Sequence, residues 1–304
     1  MVVLCVEGYA GNLLREDFDY SGLLTEHGWY TTYGNASAFS TTNGLEFDGY
    51  AGCNVGNAAV LDMRSSDQLH LSFSQVSSGD VYVAFMMQPT IVAKDGYFFC
   101  LRDEVSTTTF NFNARIWINT DMQIGLTFAN NDNKVFNEDL ELQQDKNYLV
   151  VIKYSIKAGA NNDEVSLYVL DSFRATEPAT ATVGPLKDTG KVDINPMNVV
   201  LRGFDDDSWI VVDGIRVGTS WGDAVEAGSC EAGIGEVKEE SKVPFAEGGV
   251  LHFELTGRNR VRVCDILGRV IVDEELHRGR HSIELAKGIY LLKLGDETNK
   301  VLVK

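Results

Sequence analysis

Hydrophobic and polar residues alternate with a period of two along most of this chain, in short runs separated by Gly, Asn, Asp and Ser. Such alternation predicts β-strands with one buried and one solvated face. At least eight such strands with turn signals between them predict a two-sheet sandwich. The clearest runs are 81–85, 97–99, 110–118, 122–128, 148–154, 165–170, 198–201 and 209–217.

The same alternation returns after a break in composition. Residues 227–243 are rich in Gly, Glu, Lys and Ser, which is typical of an exposed linker. Residues 244–304 then show strands separated by glycine turns, with no room for a helix between them. We therefore expect an all-β chain: a two-sheet β-sandwich over residues 11–226, the linker, and a small Ig-like β-sandwich over residues 244–304.

Three motifs in the C-terminal part carry a resemblance. The run V-x-V-x-D-x-x-G-R-V begins at Val261, G-I-Y-L-L-K-L spans 288–294, and K-V-L-V-K spans 300–304. In this order they resemble the C-terminal sorting domain of cargo proteins of the type IX (Por) secretion system. The resemblance implies recognition by the secretion machinery at the outer membrane. The signal residues would be Asp265, Gly268, Arg269, Gly288, Tyr290 and Lys300.

The N-terminal residues fit the expectation of an exported protein. Residues 1–10 are interpreted as the remnant of a signal peptide, with a first strand as the alternative. No apolar run is long enough to span a membrane as a helix. We therefore expect export through the periplasm to the outer-membrane surface, or into the medium, of a Gram-negative bacterium.

The net charge of −18 is carried by the first part of the chain. Residues 1–243 hold 35 of the 44 Asp and Glu residues but only 16 of the 26 Lys and Arg residues. Such an acidic body repels phosphate backbones, so a nucleic-acid partner is not expected. The five cysteines follow no disulfide framework, and the sequence favours buried free thiols over disulfides.

The body also resembles secreted bacterial jelly rolls of the concanavalin A or laminin-G type. The resemblance rests on the runs at 14–29, 52–59 and 212–221. Lectins, carbohydrate-binding modules and polysaccharide-acting enzymes share this fold, so the resemblance implies the fold and leaves the function open.

One strand offers a candidate glycan-binding face. In the run 110–119, residues 110, 112, 114, 116 and 118 are apolar or small, and we expect them to face the core. A tryptophan surrounded by amides and a guanidinium suits a sugar, which stacks on the ring and exchanges hydrogen bonds through its hydroxyls. The alternative is a solvated outer face without a ligand. The candidate contacts are Asn111, Asn113, Arg115, Trp117 and Asn119, with Gln123 on the next strand.

Asp213 has the parity of the inward-facing residues of its strand, where a lone carboxylate is unfavourable. The jelly-roll resemblance implies a structural Ca²⁺ between the first and last strands, with Asp17 and Asp213 as candidate ligands. Two alternatives stay open: a β-bulge at Gly214 that turns Asp213 outward, and a salt bridge to Arg202 or Arg216.

Known catalytic signatures are incomplete. Glu46 and Asp48 lack the second Glu of laminarinase-like hydrolases, and Ser220 sits in a G-x-S-x-G run that follows the last strand of an all-β domain. We therefore expect a non-catalytic module that binds glycan or a host surface. The alternatives are a polysaccharide-acting enzyme whose carboxylates come from distant strands, and a structural surface protein without a small ligand.

Overall fold

A computed structural model describes residues 11–33, 40–61, 68–103, 111–129, 133–188, 190–204, 207–230, 244–247, 249–255, 259–266, 268–276, 279–294 and 297–303. Residues 1–10, interpreted above as a signal-peptide remnant, lie outside these ranges. The chain divides into two compact units, the body (Met1–Gly233) and the C-terminal unit (Ile234–Lys304). Within the described ranges, no helix has the length and apolar character needed to cross a membrane.

The described part of the body is built almost entirely from strands, with a 3₁₀ turn at Leu24–Glu26 and one short helix, α1 (Trp221–Ala224). Its strands are β1 (Asn12–Glu16), β2 (Tyr30–Tyr33), β3 (Ser40–Asn43), β4 (Asn57–Leu61), β5 (Gln68–Ser72), β6 (Gly79–Ile91), β7 (Gly96–Arg102), β8 (Phe112–Ile118), β9 (Gln123–Thr127), β10 (Val135–Glu141), β11 (Tyr148–Ile156), β12 (Glu164–Leu170), β13 (Val183–Leu186), β14 (Asn198–Arg202) and β15 (Trp209–Gly218).

These strands form two antiparallel sheets. The eight-stranded sheet has the order β13, β12, β11, β6, β15, β4, β3, and β1 pairs with β15 beside this path. The seven-stranded sheet has the order β10, β9, β8, β7, β14, β5, β2. Inward side chains of both sheets form one core, in which the Phe85 and Phe99 rings stack with centroids 4.4 Å apart. The predicted all-β jelly-roll sandwich is confirmed.

The outer face of the eight-stranded sheet is covered by three segments of the body. Residues 44–56, residues 171–182 and α1 pack on it around Tyr50 and Trp221. The Tyr50 hydroxyl donates to the carbonyl of Gly214 (2.7 Å), and Nε1 of Trp221 donates to the carbonyl of Arg174 (2.9 Å). This layer buries the outer face, so any ligand surface on a sheet has to be sought on the seven-stranded sheet.

The structure corrects the prediction of free thiols, because Cys53 and Cys230 form a disulfide. Residues 226–228 run beside the loop at 49–51, where the Ala51 N–H donates to Glu226 O (2.9 Å) and the Gly228 N–H to Gly49 O (2.9 Å). This pairing brings Cys230 to Cys53. The first residues of the predicted linker are therefore fastened to the body. Cys100 and Cys264 are free.

The C-terminal unit is a second, smaller sandwich. Its strands are β16 (Phe245–Glu247), β17 (Val250–Leu255), β18 (Asn259–Asp265), β19 (Val270–Leu276), β20 (Gly279–Glu284), β21 (Gly288–Leu294) and β22 (Glu297–Val303). One sheet has the order β16, β17, β20 and the other β19, β18, β21, β22. Val261, Val263, Leu292 and Val301 are buried in the core between them.

Candidate functional site

The outer face of the seven-stranded sheet carries an aromatic cluster of its own. Tyr97, Phe112 and Trp117 pack around Cys100 and Val200, with Phe136 partly buried against them. The half-buried Arg115 and Arg202 lie on β8 and β14, Arg102 on the intervening strand β7 is buried (1% exposed), and Lys134 precedes the edge strand β10. We call this surface the arginine–tyrosine face; its members are Gln68, Tyr97, Arg102, Arg115, Trp117, Lys134 and Arg202.

Tyr97 lies at the centre of this face between two guanidinium groups. The Cζ atom of Arg202 is 4.7 Å from the centroid of its ring, and that of Arg115 is 5.2 Å away. Nη1 of Arg202 also donates to the carbonyl of Tyr97 (3.2 Å), and Nε2 of Gln68 donates to its hydroxyl (3.0 Å). Cation–π contact of this kind holds a guanidinium in place without neutralising its charge.

Trp117 belongs to the same face but lies beneath its surface. Its side chain is 5% exposed, and its Nε1 donates to Oγ1 of Thr127 (3.1 Å). The ammonium of Lys134 lies 4.2 Å from the ring centroid. The Trp117 ring therefore packs beneath the arginine–tyrosine face. The groups that reach solvent above it are Lys134 and the half-buried Arg115.

The positive charge of the three arginines converges on the centre of the sheet. Burial raises the pKa of the Cys100 thiol to about 12, while Arg115, Arg102 and Arg202 all act in the opposite direction. Burial and the charge of Arg102 together lower the pKa of His70 on β5. The charges of three guanidinium groups thus act on Cys100, and that of one of them on His70, at this face of an acidic protein.

The predicted faces of β8 are correct only in part. Ala114, Ile116 and Ile118 face the core, and Arg115 and Trp117 face outward as expected. Phe112, however, lies on the outer face, and Asn113 is 1% exposed and donates from Nδ2 to the carbonyl of Val192 (3.2 Å). The cause is a bulge, because Ala114 has φ of +52° and the register with β7 shifts there. The expectation that Asn113 is a surface contact is therefore wrong.

The other predicted amides have partners within the described part of the body. Nδ2 of Asn111 donates to the carboxylate of Asp103 (3.0 Å). Asn119 and Gln123 bond to each other across the turn between β8 and β9, from Asn119 Nδ2 to Gln123 Oε1 (2.9 Å) and from the Gln123 N–H to Asn119 Oδ1 (2.8 Å). They fix the turn at the edge of the face, and their role as glycan contacts stays a prediction.

Sequence reasoning missed Tyr97, Gln68, Lys134 and Arg202. The signal for Arg202 was present: Asn198, Val200 and Arg202 alternate with the inward-facing Val199 and Leu201. What the sequence did not show was that β14 lies next to β7, which places Arg202 against Tyr97.

The candidate calcium ligands have other partners in the structure. Asp213 is fully buried, and its two oxygens accept from the N–H groups of Gly214 (2.6 Å) and Leu45 (2.7 Å). The carboxylate of Asp17 pairs with the buried guanidinium of Arg216 (2.5 Å). A guanidinium thus stands where a cation would be needed, and the described residues contain no group of three or more metal-binding side chains. Asp17 and Asp213 do not fit a Ca²⁺ site.

The structure also decides between the alternatives for Asp213. Gly214 has φ of +59°, and the pairing of β15 with β6 shifts between Asp213 and Arg216. This bulge turns Asp213 away from the core between the sheets, while Ile215 and Val217 face it. Asp213 is nevertheless buried, because residues 44–56 cover it. Desolvation raises its pKa to about 8.

Ser220 stabilises the start of α1. It is the N-cap of α1: its Oγ accepts from the N–H of Asp223 (3.2 Å) and donates to the carboxylate of Asp223 (2.6 Å). A hydroxyl that caps a four-residue helix in this way matches the preference of Ser for N-cap positions. The G-x-S-x-G run is therefore explained by the end of β15 and the start of α1.

The three C-terminal motifs lie in the four strands of one sheet. The first forms the hairpin of β18 and β19, in which Asp265 accepts from the backbone N–H (3.0 Å) and Nε (2.7 Å) of Arg269. Gly268 has φ of +82°, which favours glycine. The second motif is β21, with Tyr290 donating to the carbonyl of Ala286 (2.9 Å), and the third lies in β22. Gly288 begins β21, and Lys300 is exposed on β22.

No protein-family model matches the chain, and no curated protein matches its sequence. Solved structures with some similarity include the globular domain of T. cruzi calreticulin, at 10% identity and a TM-score of 0.43 over 70% of this chain and 90% of that one. A carbohydrate esterase from the Shiga toxin-encoding bacteriophage phi24B has 14% identity and a TM-score of 0.41 over 68% and 97%. The carbohydrate recognition domain of Emp46p has 12% identity and a TM-score of 0.37 over 67% and 95%.

Proposed function

We propose that the chain is an exported cell-surface protein whose body binds glycan through the arginine–tyrosine face, without catalysis. The observation that carries the proposal is Tyr97 held between Arg115 and Arg202, with the amide of Gln68 on its hydroxyl. The half-buried guanidinium groups of Arg115 and Arg202 and the amide of Gln68 provide the directed hydrogen bonds that sugars need, and the partly buried Phe136 adds aromatic surface beside them. Most glycoside hydrolases instead rely on two carboxylates placed across the scissile bond.

Binding of glycan is tested with the full chain on a glycan array. We expect the wild type to bind a defined set of glycans and the Arg115→Ala variant to lose at least about tenfold in affinity, because charge-assisted hydrogen bonds contribute about 1.5–3 kcal/mol. Arg115 is preferred to Trp117 for this test, since replacing the buried Trp117 would also destabilise the sheet.

The matched control is Arg174→Ala, an exposed arginine in the segment that covers the other sheet. Its binding should equal that of the wild type. A folded wild type that binds no glycan would refute the proposal. Shortening of a bound glycan with time would overturn its non-catalytic part.

Export by the type IX system is the second part of the proposal. The disulfide between Cys53 and Cys230 supports an oxidising compartment such as the periplasm or the cell exterior. The sorting-domain motifs support the route. The proposed partner of the C-terminal unit is therefore the secretion machinery at the outer membrane.

Export is tested in a bacterium that has a type IX system. We compare the full chain with a chain that ends at residue 243, each supplied with a secretory signal peptide, by adding protease to intact cells. The full chain should be accessible at the surface, and the shortened chain should stay protected in the periplasm. Equal surface exposure of the two would contradict the sorting role of residues 244–304.

A further inference from the structure

We infer that the glycan bound by the arginine–tyrosine face is acidic, with carboxylate groups on its sugar rings. This inference rests on the proposed glycan binding and goes beyond it by naming the ligand class.

The arginine–tyrosine face is positively charged on an acidic protein. The chain has a net charge of −18, yet the half-buried Arg115 and Arg202 reach this face from β8 and β14, and the exposed Lys134 adds a third cation at its edge. Arg102 of β7 adds its charge from a buried position (1% exposed). An acidic glycan is repelled by an acidic protein surface in general, so a concentrated positive patch selects where it binds. A neutral glycan would need no such patch.

The arginines of this face are held against aromatic rings. Arg115 and Arg202 both lie over the ring of Tyr97, and Arg102 and Arg115 lie 5.3 and 5.8 Å from the centroid of Phe112. Stacking on aromatic rings orders a guanidinium while its planar fork of N–H donors stays suited to bidentate contact with a carboxylate. Side chains fixed in this way lose little further entropy when a ligand binds.

The same face combines charge with apolar surface. Tyr97 is 9% exposed and lies under Arg115 and Arg202, but the partly buried Phe136 and the rim residue Tyr30, which is 63% exposed, lie on the same side of the sheet. Aromatic surface provides stacking for the apolar side of a sugar ring. A small inorganic anion would use the charges alone, whereas an acidic sugar would use both.

The test uses immobilised glycans in matched pairs, in which each uronic- or sialic-acid glycan is paired with its methyl ester, together with sulfated glycans. We expect the full chain to bind an acid form roughly ten- to hundredfold more tightly than its ester. The Arg202→Gln variant should bind the acid form with no higher affinity than the ester. Arg174→Gln, the matched control, should leave the preference unchanged. The affinity for the acid form should fall as salt is added, and that for the ester should not.

The outcomes are distinguishable. Equal binding of acid and ester would overturn the inference and leave glycan binding intact. If both Arg202→Gln and Arg115→Gln still prefer the acid form, the acid-binding site lies elsewhere on the protein, which would overturn the inference as well. Equal binding of sulfated glycans would refute the choice of carboxylate. Binding to no glycan of either kind would refute the proposed function itself. Thermal unfolding of each variant shows whether a loss of binding comes with a loss of fold.

Discussion

Replacing Arg216 with methionine is expected to lower the free energy of unfolding of the body by about 3 kcal/mol, as measured by denaturant titration. Breaking a buried ion pair by removing one partner costs about 3–5 kcal/mol, and the lower value applies because the side chain of Asp17 is 25% exposed. Removal of Arg216, which is 2% exposed, also withdraws a neighbouring positive charge from Asp213.

The matched control for this prediction is Arg15→Met. Arg15 pairs with Glu226 at 2.6 Å, but both side chains are solvent-exposed, so the loss should stay below about 1 kcal/mol. Equal losses of stability in the two variants would show that burial of the Asp17–Arg216 pair adds nothing to its contribution.

The deficit of Arg216→Met should also depend on pH. The pKa of Asp213 is raised from 3.8 to about 8 in the folded body, with burial as the main cause. A carboxyl with a raised folded-state pKa contributes stability that is fully present below pH 3.8 and is lost as the pH rises through about 8. Arg216 opposes this rise, so its removal should raise the pKa further and enlarge the deficit above pH 8. A deficit that shrinks at high pH would contradict this assignment.

Opening the disulfide by Cys230→Ser is expected to cost about 3–5 kcal/mol of stability. The bridge joins residues 177 positions apart, and a cross-link over so long a loop strongly restricts the unfolded chain. The measurement is the denaturation midpoint of the oxidised wild type, the reduced wild type and the variant. Reduction should bring the wild type to the midpoint of the variant.

Cys264→Ser is the control for this series. Cys264 is a free, half-buried thiol of the C-terminal unit, so its replacement should leave the unfolding of the body unchanged. Equal midpoints for the oxidised and reduced wild type would show that the bridge does not stabilise the body.

The architecture could be predicted from the sequence because period-two alternation follows directly from the geometry of a strand in a two-layer sandwich. The strands over residues 81–85, 148–154 and 165–170 all lie where the alternation places them. The pairing of Cys53 with Cys230 could not be predicted in this way. It depends on residues 226–228 folding back beside residues 49–51, and no local pattern encodes that contact.

The site was predicted less well because bulges interrupt the phase of two strands. Ala114 adopts a positive φ, which an alanine in the sequence does not predict. The residues before it in β8 therefore lie on the opposite face from the one that the alternation predicts. The bulge at Gly214 reverses the faces in β15 in the same way, and here the glycine in the sequence did suggest a bulge. Tyr97 and Arg202 come from strands far apart in sequence, so their contact required the order of the sheet.

The position of Cys230 has a consequence for processing of the chain. The disulfide fastens the backbone immediately ahead of residues 231–243, and the pairing of residues 226–228 with residues 49–51 lies on its N-terminal side. If the chain is cut after Cys230, the bridge to Cys53 stays with the body, because both cysteines precede the cut. The pairing of residues 226–228 with residues 49–51 is kept for the same reason.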